Sequence, residues 1–139
     1  MTATWELTQY NKGVIMTAMS EPPRWRVEFY QDARGDRPVQ EWLSGLEAKE
    51  EARVRRALAL LETYGTQLVM PYARHLRGKL WELRITSGRR DYRVLYAAVA
   101  GQRFILLDAF SKKTAKTPAR ELENSEQRLT DFPKSTREE

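Results

Sequence analysis

Eleven basic side chains fall in one stretch of this chain: Arg74, Arg77, Lys79, Arg84, Arg89, Arg90, Arg93, Arg103, Lys112, Lys113 and Lys116. Three acids, Glu82, Asp91 and Asp108, stand among them, so the stretch nets +8. The remainder, with 13 basic and 16 acidic residues, nets −3, and the two parts make up the overall +5. Charge segregated in this way is an electrostatic footprint for a polyanion, and RNA or DNA is the natural candidate. Guanidinium and ammonium groups grip phosphate oxygens, arginine in a bidentate manner. His75, the only histidine, lies near the head of this stretch and is the one side chain whose ordinary pKa is near neutrality.

What the chain lacks narrows the chemistry. With no cysteine, disulfides, thiolate catalysis and cysteine-ligated zinc are excluded. One histidine argues against a His-rich metal site and against a conventional Ser-His-Asp triad. The expectation is a protein with no metal and no cofactor. A length of 139 residues fits one domain with a modest core, and 31% charged residues fit a soluble protein. No window approaches the run of about 18 apolar residues that spans a bilayer. The first residues lack the basic-then-apolar pattern of a secretion signal, so a cytoplasmic location is expected.

The basic stretch needs a scaffold, and hydrophobic periodicity supplies one. Trp25, Val27 and Phe29 alternate with Arg26 and Glu28, the pattern of a half-buried strand. Asp36 before Pro38 reads as the capped start of a short helix carrying Val39, Trp42 and Leu43. A longer helix follows over roughly Glu47 to Tyr64. Glu47, Glu50 and Glu51 favour its N-terminal end, Val54, Ala57, Leu58, Leu61 and Tyr64 form its apolar stripe, and Gly65 caps it.

Three strands come next, at Leu80–Thr86, Asp91–Val99 and Arg103–Ser111, joined by turns at Gly88 and Gly101. On the first, Trp81, Leu83 and Ile85 share one face, Glu82 and Arg84 the other. The run from Phe104 to Phe110 is apolar on both faces, as a central, covered strand would be. Thr117-Pro118 opens a last helix, with Leu122, Leu129 and Phe132 on its buried side. The fold class is therefore α+β: an antiparallel sheet with two N-terminal helices packed on it and a C-terminal helix. Residues 24–134 form the domain, with an extension over 1–23 and a tail over 135–139. In the extension Trp5, Leu7 and Tyr10 are available to dock, and Met16 and Met19 are alternative translation starts to Met1.

Three segments carry a resemblance: Leu76-Arg-Gly-Lys-Leu-Trp-Glu-Leu-Arg84, Tyr92-Arg-Val-Leu-Tyr96, and Ala109-Phe-Ser-Lys-Lys-Thr-Ala-Lys-Thr-Pro118. In this order they resemble the phage-derived branch of HigB-type toxins, within the RelE/ParE superfamily of toxin–antitoxin systems. The likeness covers Trp25 to Phe132. It implies a RelE-like fold and a ribosome-dependent mRNA endonuclease, an mRNA interferase that inhibits translation. It also implies a helix-turn-helix, HigA-like antitoxin as partner in a toxin–antitoxin hetero-oligomer, with mRNA and the 70S ribosome as targets and no membrane. ParE-like relatives share the scaffold but inhibit gyrase, and a non-catalytic RNA-binding module is a further alternative.

Metal-free RNA cleavage uses the substrate 2′-hydroxyl as nucleophile and builds negative charge on a phosphorane, which fixed cations stabilise. On the resemblance, Arg84 and Arg93 are the charge stabilisers, and Lys112 and Lys113 supply at least one further catalytic group. A lysine crowded by cations has a lowered pKa and serves as a base. His75 reads either as a general acid–base or as a structural, exposed histidine. Arg74, Arg77 and Lys79 are expected in the loop entering the sheet, gripping phosphates together with Arg89, Arg90 and Lys116. Tyr92 and Tyr96 share a strand face; Tyr92 is expected to stack on a base, and Tyr96 to pack in the core. Glu82 departs from relatives that carry lysine there, and its proximity to Arg84 offers that arginine a plain structural partner.

Overall fold

The strand β3 (Arg26–Phe29) lies at one edge of a five-stranded sheet and leads into two helices, α1 (Pro38–Ser44) and α2 (Ala48–Tyr64). The chain then forms a meander of four strands, β4 (Ala73–Arg77), β5 (Leu80–Ser87), β6 (Arg90–Val99) and β7 (Arg103–Lys112), and ends in α3 (Ala119–Asp131). The computed structural model describes residues 25–112 and 116–132 in full, with the backbone of 5–10 and 13–18. Those last two segments, β1 (Trp5–Tyr10) and β2 (Gly13–Ala18), pair antiparallel as a separate two-stranded sheet, with Leu7 opposite Met16. The side chains of Trp5, Leu7 and Tyr10, the tail 135–139 and Lys113 lie outside the described residues.

The sheet order is β3-β7-β6-β5-β4, and it is mixed rather than antiparallel. The meander is antiparallel throughout, but β3 runs parallel to β7, with Val27 opposite Phe104 and Phe29 opposite Leu106. Parallel neighbours need a long connection, and here the chain between β3 and β7 includes α1, α2 and the other three strands. Side-chain alternation identifies a strand but carries no direction, so this pairing is invisible in the residues of β3 alone.

Both faces of the sheet are covered, unequally. On one, Val39 and Leu43 of α1 and Val54, Leu58 and Leu61 of α2 pack on Leu83, Ile85, Val94, Tyr96, Phe104 and Leu106. On the other, Leu122, Leu129 and Phe132 lie over Leu80, Ala97, Val99, Ile105 and Leu107. This double coverage explains the apolar run in β7. Tyr64 departs from the expected stripe and stands half exposed, since α2 has passed the edge of the core by its last turn.

Gly65 turns the chain out of α2 with φ +58, and its N–H bonds Leu61 O as a cap. A Cβ here would overlap the indole of Trp25, which stacks on Phe104 at 4.5 Å between ring centres. The two other helix starts differ from expectation. At α1 it is the Asp32 carboxylate, not that of Asp36, that orders the approach, accepting from the backbone N–H of Arg34 and Asp36. At α3 the cap position is Pro118, and the Thr117 hydroxyl donates to Glu82 and accepts from Lys112 instead of capping the helix. Among the described residues no helix is long and apolar enough to cross a membrane.

Candidate functional site

α3 covers only part of its face of the sheet. Beyond it, register brings the basic residues of four strands together: Arg74 opposite Glu82, Arg84 opposite Arg93, and Lys112 opposite Asp91. Two arginines directly opposed across a ladder repel each other. Glu82, one step along β5 on the same face, relieves that repulsion.

Its carboxylate is fully buried. Oε2 lies 3.2 Å from Arg84 Nη1, which donates to it, and 3.2 Å from Arg74 Nε. Arg74 Nε is within ion-pair range but not aligned as a hydrogen-bond donor. Oε1 accepts from the Thr117 hydroxyl at 2.9 Å and faces Arg93 Nε at 3.7 Å. Lys112 Nζ reaches the same hydroxyl at 3.5 Å. Four cations thus surround one anion, a local net of +3.

The cations differ in their access to solvent. The Arg93 side chain is only 6% exposed, with Nη1 donating to Tyr92 O at 2.9 Å; those of Arg84 and Arg74 are 27% and 42% exposed. Burial, reinforced by Arg84, pushes the Arg93 guanidinium down from its usual pKa. Burial also lowers Lys112; Glu82 pulls it back up, while Arg93, Arg74 and Arg84 press it further down. The arrangement is a shallow cationic floor. Arg74, Arg84 and Lys112 lie at its surface, and Glu82 and Arg93 beneath. A phosphate group is the complementary ligand.

Of the expected site residues, Arg84, Arg93, Lys112 and Arg74 come together here. Arg74 does so from a strand, not from the expected loop: β4 pairs with β5 and carries it to Glu82. Arg93 is too enclosed to touch a ligand in this arrangement. Tyr92 is 2% exposed, in the main core with its ring edge-on to Trp42, and so lies away from the cluster's face, where the expected base would meet it. His75 lies on the opposite sheet face, against Trp81 at 5.4 Å between ring centres, with Nε2 2.8 Å from the carbonyl of Gly78.

Arg77, on the α3 side, is not part of the cluster but is held in a two-pronged pair with Glu126 of α3 at 2.7 and 2.8 Å. Lys79 borders a cavity of about 260 Å³ lined by Leu68, Trp81, Tyr96 and Phe104 on the α1–α2 side. Arg89 and Arg90 are exposed at the β5–β6 turn, and Lys116 is exposed before α3. Two members of the site were not anticipated. Thr117 reads locally as a helix cap, and Glu82 as a mere neighbour of Arg84; only the strand register makes that carboxylate the centre of the cluster.

Fold and site together define a small α+β domain that presents a cationic, solvent-open cluster on one sheet face, anchored on a buried carboxylate. The model of the phage-derived Gp49-like protein family (DUF891) matches residues 41–130, from Glu41 in α1 to Thr130 in α3, and the chain belongs to that family. No curated protein matches the chain. The matched region contains every residue of the cluster.

Proposed function

We propose that this protein is the toxin of a type II toxin–antitoxin pair: a ribosome-dependent, metal-independent mRNA endonuclease, neutralised by a helix-turn-helix antitoxin. The observation that carries the reading is the cluster of Arg74, Arg84 and Lys112 over Glu82 and Arg93, on a Gp49-like domain. Arg84 and Arg74 receive the non-bridging oxygens of the scissile phosphate and stabilise the charge that grows on them. Lys112, with its lowered pKa, takes the proton of the 2′-hydroxyl. The 2′-oxygen forms its bond to phosphorus as the bond to the 5′-oxygen breaks, and that oxygen takes a proton from solvent water. The products are a 2′,3′-cyclic phosphate and a 5′-hydroxyl. Arg93 contributes its charge from below.

The test is expression without antitoxin. Growth should stop, and transcripts under translation should shorten. Growth arrest with intact transcripts and inhibited gyrase would select the ParE-like reading instead. Binding of RNA with neither effect would select the non-catalytic module.

A further inference from the structure

We propose that Glu82 is a positioning residue of the cluster, whose carboxylate holds the guanidiniums of Arg74 and Arg84 apart and aimed so that a phosphate meets preformed donors. The proposal rests on the nuclease reading for its kinetic consequence but not for its geometry. Glu82 is fully buried, and burying a carboxylate is unfavourable unless its lone pairs are well used. Here Arg84 on β5 and the Thr117 hydroxyl on the segment entering α3 donate to it, while Arg74 on β4 and Arg93 on β6 face it as ion-pair partners without an aligned hydrogen bond. An apolar residue would fill the same place on the strand without that desolvation. What it would not do is fix the heads of flexible arginines whose neighbours carry the same sign. Arginine's planar fork gives a directed contact only when its orientation is set in advance.

Two physical accounts of Glu82 make opposite predictions. If its charge merely dilutes the cluster, removing it raises the local net from +3 to +4 and helps phosphate binding and cleavage alike. If it positions donors, removing it leaves general attraction intact and damages the reaction, for which small displacements are costly.

The experiment compares wild type with Glu82→Gln, which keeps the size and loses the charge. In nitrogen-15 spectra, the wild type should show separate Nε–H resonances for Arg74, Arg84 and Arg93, and Glu82→Gln should merge those of Arg74 and Arg84 into the solvent-averaged position. On programmed ribosomes, kcat should fall about 100-fold, as for a small misplacement of reacting groups. Affinity for a cleavage-resistant, 2′-deoxy-substituted message should be unchanged or tighter.

The rising limb of the pH–rate profile should also move to lower pH. Lys112 is faced by Glu82 and Arg84 from β5, Arg93 and Asp91 from β6, Arg74 from β4 and Thr117 ahead of α3, and Glu82 is the group that pulls its pKa upward most. A Glu82→Gln protein with the wild-type rate and separate resonances would overturn the proposal, as would equal losses of rate and affinity. Should Glu82→Gln not fold, Thr117→Val keeps every charge and frees Oε1; it should show the same split between rate and affinity, and a wild-type rate would overturn the proposal. If the wild type itself does not cleave, the nuclease reading fails while the spectra still decide the role of Glu82.

Discussion

The attachment of α3 to the sheet should weaken as pH rises from about 4 to about 7, and Asp108 is the reason. Its side chain is 13% exposed, Oδ2 is buried without a hydrogen-bond partner, and the Glu121 carboxyl of α3 lies near it. Burial first, then Glu121, pushes the Asp108 carboxyl up to about 7; Arg128, whose Nη1 is 3.4 Å away, pulls it down only in part. An ordinary aspartate titrates near 3.9, so between about 4 and 7 the folded protein holds a proton that the unfolded chain has released. Stability therefore falls with pH across that window and levels off above it.

At about 1.4 kcal/mol per pH unit the loss approaches 4 kcal/mol as an upper bound, a large share of the roughly 5–15 kcal/mol typical of a domain. Asp108→Asn cannot ionise, so most of the decline should disappear. Urea titrations at pH 5 and pH 8 read this directly. The wild-type midpoint should drop between the two pH values by more than that of the variant, with unchanged slopes. Equal drops in the two proteins would refute the carboxyl pair as the origin.

Three further outcomes follow from the cluster and the α2 exit. Binding to single-stranded RNA should weaken with salt, with a log–log slope near −2 if about three cations neutralise phosphates; a flat response measured by fluorescence anisotropy would remove phosphate as the ligand. Arg93→Ala should lower stability by about 1–3 kcal/mol, because it leaves the buried Tyr92 carbonyl without that donor while Glu82 keeps Arg84, Arg74 and Thr117, whereas the more exposed Arg84 should cost about 1 kcal/mol or less on chemical denaturation. Gly65→Ala should destabilise by about 1–3 kcal/mol through its left-handed φ, with added loss as Trp25 is forced off Phe104; a melt matching wild type would show that this contact yields freely.

The sequence makes the strands legible where one face is buried. Trp25, Val27 and Phe29 announce β3, and the apolar run of β7 announces its covered, interior position. It is silent on β4, whose Arg74, His75 and Arg77 look like a loop because an edge strand needs little apolar content. With β4 unrecognised, Arg74 could not be brought to Glu82. Parity along a strand separates Tyr92 from Arg93, but which of them faces the core depends on pairing with β5, where Arg93 meets Arg84. Thr117 illustrates a second use of one hydroxyl: its oxygen is suited to accept at a helix start, but here it donates to the buried Glu82 carboxylate and accepts from Lys112 Nζ. Charge segregation, by contrast, is a property of composition along the chain, and it located the cluster without any fold.

The measurement that bears most directly on the proposed activity is cleavage of a defined message on purified ribosomes by wild type and by Arg84→Ala, with the ends of the products analysed. The wild type should cut with chelator present and leave 2′,3′-cyclic phosphate and 5′-hydroxyl ends. Arg84→Ala, folded by circular dichroism and still bound to ribosomes, should be slower by a factor corresponding to about 2.7–4 kcal/mol, as when one oxyanion donor is lost. A folded Arg84→Ala protein that cuts at the wild-type rate would contradict the account.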